Sequence, residues 1–254
     1  MENVGIVVQA RTGSTRLPNK MVMVIEGKTL FEHIIERLKY TRYKENIVLA
    51  TTDKDRDDIL VDLSNKLGIK NFRGPEDDVL ARFLGATKTY NLDIIVRVCA
   101  DNPFIDPEGI DKLVDYLKET KADHVDSYHE KGWPSGAGAE AITRDALFRI
   151  DDLTKDLKYR EHVTLFARDP ANADRFITKK LDAPEEILRP KLKLSVDTQD
   201  DLEAARRVYK ILYQPGKIIP LKSMVKLTDD HPEILLNVND KTIFSYDLAH
   251  YLKK

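Results

Sequence analysis

Apolar residues follow two rhythms along this chain. Continuous runs at Val4–Val8, Asn46–Thr51 and Asp93–Cys99 suit strands buried on both faces. Between them, apolar positions recur every three or four residues, the pattern of a helix covering one side of a sheet. Thr29 is placed to cap a helix running to about Thr41, with Leu30, Ile34, Ile35 and Leu38 inward. A second helix reaches about Leu67 with Ile59, Leu60 and Leu63 inside, and a short strand lies near Ile69–Phe72. Further helices are expected over Asp77–Tyr90 and from Pro107 to Glu119. Strands alternating with helices of this length predict βαβ units and an α/β fold with a mainly parallel sheet.

Residues 123–181 break the rhythm. Lys131–Ala139 is loop chemistry, followed by a strand at Ala139–Thr143 and helices at about Arg144–Asp152 and Leu157–Arg168. Arg175–Leu181 and Leu192–Val196 read as strands, and Thr198–Tyr213 as a helix. The remainder, with Pro215, Pro220 and Pro232, reads as a looser helical appendage ending at Phe244–Leu252.

Composition narrows the class. The 254 residues are 42% hydrophobic and 33% charged, enough for one sizeable core under a well-solvated surface. With 41 basic and 43 acidic residues the net charge is -2, so no global basic field points to nucleic acid. Cys99 is the sole cysteine, which excludes an intramolecular disulfide and a cysteine-rich zinc site and fits a reducing compartment. No signal peptide or membrane span is read from the pattern, so a cytoplasmic enzyme is expected.

The chemistry concentrates where strands end. The first strand runs into Gln9-Ala10-Arg11-Thr12-Gly13-Ser14-Thr15-Arg16-Leu17-Pro18-Asn19-Lys20. A loop at the C-terminal end of a buried strand sits where open α/β sheets bind ligands. Gly13 permits close backbone approach, and Arg11, Arg16 and Lys20 supply charge-assisted donors for phosphate oxygens. Neither the Walker spacing nor G-x-G-x-x-G is present, which disfavours a P-loop kinase or a nicotinamide enzyme. Asp101 and Asp197 each follow an apolar strand on the same expected edge. Each could cap a helix, or the two could hold a magnesium ion beside a polyphosphate.

In order along the chain stand Gln9-Ala10-Arg11 with Gly13-Ser14, Arg16-Leu17-Pro18 and Lys20, then Ala50-Thr51-Thr52 with Asp57-Asp58, and Asp78-Val79-Leu80-Ala81-Arg82-Phe83. They continue with Val96-Arg97, Ala100-Asp101-Asn102-Pro103, Asp106-Pro107, Arg160-Glu161-His162-Val163-Thr164, and Val196-Asp197-Thr198 with Asp200-Asp201-Leu202. In these blocks the chain resembles the cytidylyltransferases that make CMP-activated sugar acids, of the acylneuraminate and 3-deoxy-manno-octulosonate type. Within them it is most similar to the spore coat polysaccharide biosynthesis protein F branch. The resemblance covers residues 4 to about 210. It implies a Rossmann-like, three-layer αβα nucleotidyltransferase fold of the GT-A type. It also implies magnesium-dependent conversion of CTP and a sugar acid to a CMP-sugar and pyrophosphate.

Carried over by position, Arg11, Arg16 and Lys20 would hold the triphosphate, with Arg11, Lys20, Asp101 and Asp197 as the catalytic set and the two aspartates as metal ligands. Ala10, Gly13, Ser14, Thr51 and Arg82 would complete the nucleotide site, and Arg97, Glu140, Glu161 and His162 would face the acceptor. The resemblance further implies a nucleotidyltransferase domain over 1–213, an acceptor-pocket and homodimer region at about 123–181, and an appendage over 214–254. Two departures blur the acceptor. Cys99 stands where these enzymes often have glutamine or threonine, and Ala137 fills a usually acidic slot in Pro134–Glu140.

Other readings stay open at this level. His162 could orient the acceptor, assist proton removal or fill a half-buried helix position. Trp133 could be a lid aromatic or an interface anchor. A GT-A glycosyltransferase would want a D-x-D motif, but residues 101–103 read Asp-Asn-Pro. A non-catalytic nucleotide-binding partner would have no need of the intact Arg11, Lys20, Asp101 and Asp197 set.

Overall fold

The computed structural model describes residues 2–235. The strands are β1 (Val4–Gln9), β2 (Val24–Ile25), β3 (Lys28–Thr29), β4 (Ile47–Thr52), β5 (Lys70–Gly74), β6 (Ile94–Cys99), β7 (His124–Asp126), β8 (Glu140–Thr143) and β9 (Thr178–Lys180). All but the β2–β3 hairpin join one seven-stranded sheet in the order β5-β4-β1-β6-β8-β7-β9. β5, β4, β1 and β6 run parallel, β8 is antiparallel to both its neighbours, and β9 is parallel to β7.

The helices are α1 (Leu30–Leu38), α2 (Asp58–Lys66), α3 (Val79–Thr89), α4 (Pro107–Thr120), α5 (Arg144–Leu153), α6 (Leu157–Glu161), α7 (Leu165–Arg168), α8 (Gln199–Leu212) and α9 (Leu221–Asp230). Side-chain alternation along β1 separates two cores. Ile6 and Val8 join Ile34, Leu38, Leu113 and Val208 on one face, with Met224 of α9 part of the same cluster. Val7 joins Leu80, Phe83, Leu147 and Phe166 on the other. The result is the αβα sandwich expected of a mainly parallel sheet. Among the described residues no helix is long and apolar enough to cross a membrane.

Chain direction matters for the site. From β1 the chain builds outward through β4 and β5, then returns to place β6 on the opposite side of β1. The crevice at such a reversal is the ligand position of doubly wound sheets. Gln9 lies level with Ala50 of β4 and Cys99 of β6, so the segments after these three strands leave the same edge together.

Local chemistry explains the helix starts. Thr29 caps α1 in a reciprocal capping box with Glu32. Thr198, not Asp197, caps α8, again with a reciprocal partner, Asp201. Asp197 is thereby released from the capping role that the sequence left open to it.

Several expectations are corrected. Ile59 is 47% exposed, because the inward stripe of α2 runs through Leu60 and Ser64. The helix expected over 157–168 breaks into α6 and α7 at Val163, whose φ of 42° lies in the left-handed region. That conformation is costly for a β-branched residue. The neighbouring Thr164 is anchored to the sheet by a 2.9 Å bond to Glu140. Leu192–Val196 is extended but joins no ladder. Its backbone pairs with irregular partners instead: Leu194 N donates to Ser135 O (2.7 Å) and Val196 N to Asp101 O (2.8 Å). Gly136, at φ 90°, permits this approach, since a Cβ there would stand 2.4 Å from Ser195 N. Trp133 is neither lid nor surface anchor. It is 2% exposed, with Nε1 donating to Asp106 Oδ2 at 2.8 Å. The helix expected at Phe244–Leu252 lies outside the described residues.

Candidate active site

The basic loop is held to the neighbouring strand by one buried carboxylate. Asp57, fully buried, accepts from Thr12 N and Thr12 Oγ1, both at 2.7 Å, and from Thr52 Oγ1 at the end of β4. Burial opposes its ionisation, but the Thr52 and Thr12 hydrogen bonds outweigh it and hold its pKa below the usual carboxylate value. Within the loop, Ser14 N and Asn19 N donate to Thr12 O at 2.8 and 3.1 Å, while Leu17 and Met21 are buried beneath it. The sequence placed Asp57 in a motif without giving it a role. This role rests on a contact across 45 residues, which no local pattern announces.

Lys20 and the two aspartates meet. Lys20 Nζ lies 2.7 Å from Val196 O, 3.2 Å from Asp101 Oδ2 and 3.6 Å from Asp197 Oδ1. Arg16 Nη2 donates to the same Asp197 oxygen at 2.8 Å. The Val196 N to Asp101 O bond holds the two carboxylate-bearing segments side by side. Burial disfavours the Asp197 charge, yet Lys20, Arg16 and Lys193 together keep its pKa below the usual value.

A support behind Asp197 comes from Asp201, which the sequence placed in a motif without giving it a role. Asp201 Oδ2 accepts from Asp197 N (2.9 Å), Thr198 N (2.9 Å) and Lys193 Nζ (2.6 Å). Lys193 Nζ also stands 3.5 Å from Asp197 Oδ2. Charges of both signs alternate through this cluster, with Lys20 the cation that Asp101 and Asp197 share.

On the β4 and β5 side lie Ala10, Thr51 and Arg82. Ala10 N donates to Ala50 O at 3.3 Å. Thr51 is fully buried, and its Oγ1 has no hydrogen-bond partner among the described residues. Arg82, also buried, gives Nη1 to Pro75 O (2.9 Å) and Glu76 O (3.0 Å), while its Nε has no partner among the described residues. Burial and then the charge of Arg11 lower the Arg82 pKa, a strain that an anion nearby would relieve. Arg11 itself is partly exposed, with Nη1 3.5 Å from Glu76 Oε1.

The residues assigned to the acceptor separate into two groups. Arg97 and Glu140 sit level on β6 and β8 in a buried ion network. Glu140 Oε2 accepts from Arg97 Nη1 (2.6 Å), and Oε1 accepts from Arg168 Nη1 and Thr164 Oγ1, both at 2.9 Å. Burial opposes the Glu140 charge, but Arg168, Arg97 and His124 hold it well below the carboxylate range. Arg97 also reaches Gln9 Oε1 through Nε and Nη2, at 3.3 Å each. Glu161 is exposed at the end of α6 and His162 is half-buried at the break that follows. Burial pushes the Cys99 thiol up to about 11, so it is no nucleophile at neutral pH.

Comparison with known proteins supplies a context for this geometry. The sequence model of the family described as Cytidylyltransferase matches residues 5–226. The chain is 32% identical over 215 residues to the spore coat polysaccharide biosynthesis protein SpsF of Bacillus subtilis, covering 83% of this chain and 88% of that one. It is 25% identical over 237 residues to the 3-deoxy-manno-octulosonate cytidylyltransferase of Rickettsia bellii, covering 82% and 97%. Among solved structures, a cytidylyltransferase from Leptospira borgpetersenii superposes with a TM-score of 0.86 at 30% identity, covering 96% of this chain and all of that one.

Proposed function

Because the chain belongs to the cytidylyltransferase family and is a CTP-dependent nucleotidyltransferase, we propose that it transfers the cytidylyl group of CTP to a hydroxyl of a sugar acid for polysaccharide synthesis. The observation that carries the reading is the meeting of Lys20, Arg16, Asp101 and Asp197 at the sheet edge from which the Arg11 loop leaves β1. In this reading the acceptor oxygen forms a bond to the α-phosphorus, the bond to the β-phosphate oxygen breaks, and pyrophosphate leaves. Such a displacement needs alignment and charge neutralisation more than a protein nucleophile. Arg11, Arg16 and Lys20 grip the triphosphate, Gly13 and Ser14 line the loop's backbone, and Ala10, Thr51 and Arg82 border the nucleoside.

Magnesium suits the donor set. The two carboxylates share Lys20, Asp197 being paired with Arg16 and Lys193 as well, and among the described residues no third acidic, histidine or cysteine ligand completes a cage. A magnesium ion commonly takes one or two carboxylates and draws further oxygens from phosphate and water. Asp101 and Asp197 would hold it, where it would offset the charge developing on the phosphate oxygens.

Glu140 has both oxygens engaged within the protein, so we assign it and Arg97 to support of the acceptor wall rather than direct contact. Glu161 and His162, at the α6–α7 break, are carried into the proposal as the acceptor contacts. A homodimer through residues 123–181 is part of the proposal, with exposed Leu153, Leu157 and Ile177 offering apolar surface there. Sedimentation at micromolar concentration tests it, and a monomer would remove it.

The deciding assay is pyrophosphate release with magnesium and each of CTP, UTP, ATP and GTP, across a panel of sugar acids and sugar phosphates. Release confined to CTP with a sugar acid is expected. Release with a sugar phosphate alone would replace the acceptor class.

A further inference from the structure

Arg56 lies outside the basic loop but closes over it. Its guanidinium packs on Gly13, where a Cβ would stand 3.1 Å from both Nε and Nη2. The glycine therefore makes room for a fourth cation as well as for a close backbone. The position of Arg56 is fixed from both sides. The next residue, Asp57, is the buried carboxylate that ties down Thr12, and Arg56 O accepts from Thr12 Oγ1 at 3.3 Å.

Arg56 and Arg11 share one partner. Arg56 Nη2 donates to Glu76 Oε1, and Arg11 Nη1 lies 3.5 Å from the same oxygen. One carboxylate cannot neutralise two guanidiniums, so the pair retains net positive charge. Arg56 also keeps about half its side-chain surface exposed at 49%. A guanidinium held beside the loop in this way meets phosphate oxygens with its planar fork.

We propose that Arg56 is a further triphosphate-binding residue of the cytidylyl transfer site, with Glu76 as the carboxylate that positions it and Arg11. The proposal rests on the reading of the basic loop as the triphosphate grip. Arg56 contacts the phosphates distal to the nucleoside, and Glu76 holds both arginines in register until those oxygens arrive.

Calorimetric titration of the full chain with CTP, CMP and inorganic pyrophosphate, at fixed magnesium and ionic strength, tests this. Arg56→Met should bind CTP and pyrophosphate about tenfold more weakly, the scale of one partly exposed charge-assisted contact, with CMP affinity unchanged. Glu76→Gln should tighten CTP binding several-fold, since both arginines then face the phosphates without a competing carboxylate. Wild-type affinity for CTP in Arg56→Met would overturn the proposal. So would an equal loss of CMP and CTP, which would make Arg56 a loop brace. If the wild-type protein bound CTP no better than CMP, the grip itself would fall. Arg56 is a surface residue, so thermal melting of Arg56→Met should match wild type and separate a binding loss from misfolding.

Discussion

Asp57→Ala probes how the loop is built. The substitution deletes the acceptor of three hydrogen bonds and strands the Thr12 amide in a buried position. Charge-assisted bonds contribute about 1.5–3 kcal/mol each, and an orphaned buried donor costs about 1–3 kcal/mol. Alanine also removes the unfavourable burial of a carboxylate, which offsets part of this. The net loss expected is about 2–4 kcal/mol at neutral pH, or roughly 4–16 °C in melting temperature for a chain of this size. Urea unfolding of wild type and variant reads it.

The pH dependence has a definite sign. The folded pKa of Asp57 is depressed, so its stabilisation is present above the unfolded carboxylate pKa of about 3.9 and is lost as pH falls through the lower folded value. The gap between wild type and Asp57→Ala should be full at pH 7 and shrink below about pH 4. Asp57→Asn keeps one acceptor oxygen and should fall between the two. CTP affinity should drop with the loop's order. A variant within about 0.5 kcal/mol of wild type at pH 7, or a gap that widens on acidification, would refute the reasoning.

Other outcomes follow from the same geometry. Asp101→Asn and Asp197→Asn should each lower magnesium-dependent pyrophosphate release by about a hundredfold or more. Both variants should fold, though Asp197→Asn should melt lower because Lys20 and Lys193 lose a shared counter-charge. Near-normal turnover in either would remove the metal assignment. Glu140→Gln leaves Arg97 and Arg168 short of a buried counter-charge and should cost about 3–5 kcal/mol in urea unfolding. A neutral result would mean the network is solvated. The Cys99 thiol, pushed to about 11, should react with iodoacetamide at pH 7.5 on the order of a hundredfold more slowly than free cysteine. Cys99→Ser should retain transfer activity, and rapid alkylation would contradict the raised thiol pKa.

The sheet was legible because continuous apolar runs and helical periodicity state their own environments. Lys20, Asp101 and Asp197 were legible for a related reason: strand ends in an α/β chain converge on one edge. The partners that make the site work were not. Lys20 reaches Val196 O across 176 residues, and Thr12 reaches Asp57 across 45. Such contacts depend on register and on the order in which β4, β1 and β6 are laid side by side. Trp133 failed for a different cause, since a tryptophan beside Pro-Ser-Gly looks exposed until Asp106 is found beneath it. The break at Val163 is tertiary too, set where Thr164 bonds to Glu140 rather than by any helix-ending residue.

The most direct measurement is CTP binding by calorimetry to wild type and to Lys20→Met, with magnesium present. Lys20 stands between Asp101 and Asp197 at the end of the loop, and its loss should weaken CTP binding about 10- to 100-fold, the range for one charge-assisted contact. Melting should show the variant folded. Equal CTP affinity in the two proteins would place the triphosphate elsewhere and contradict the site.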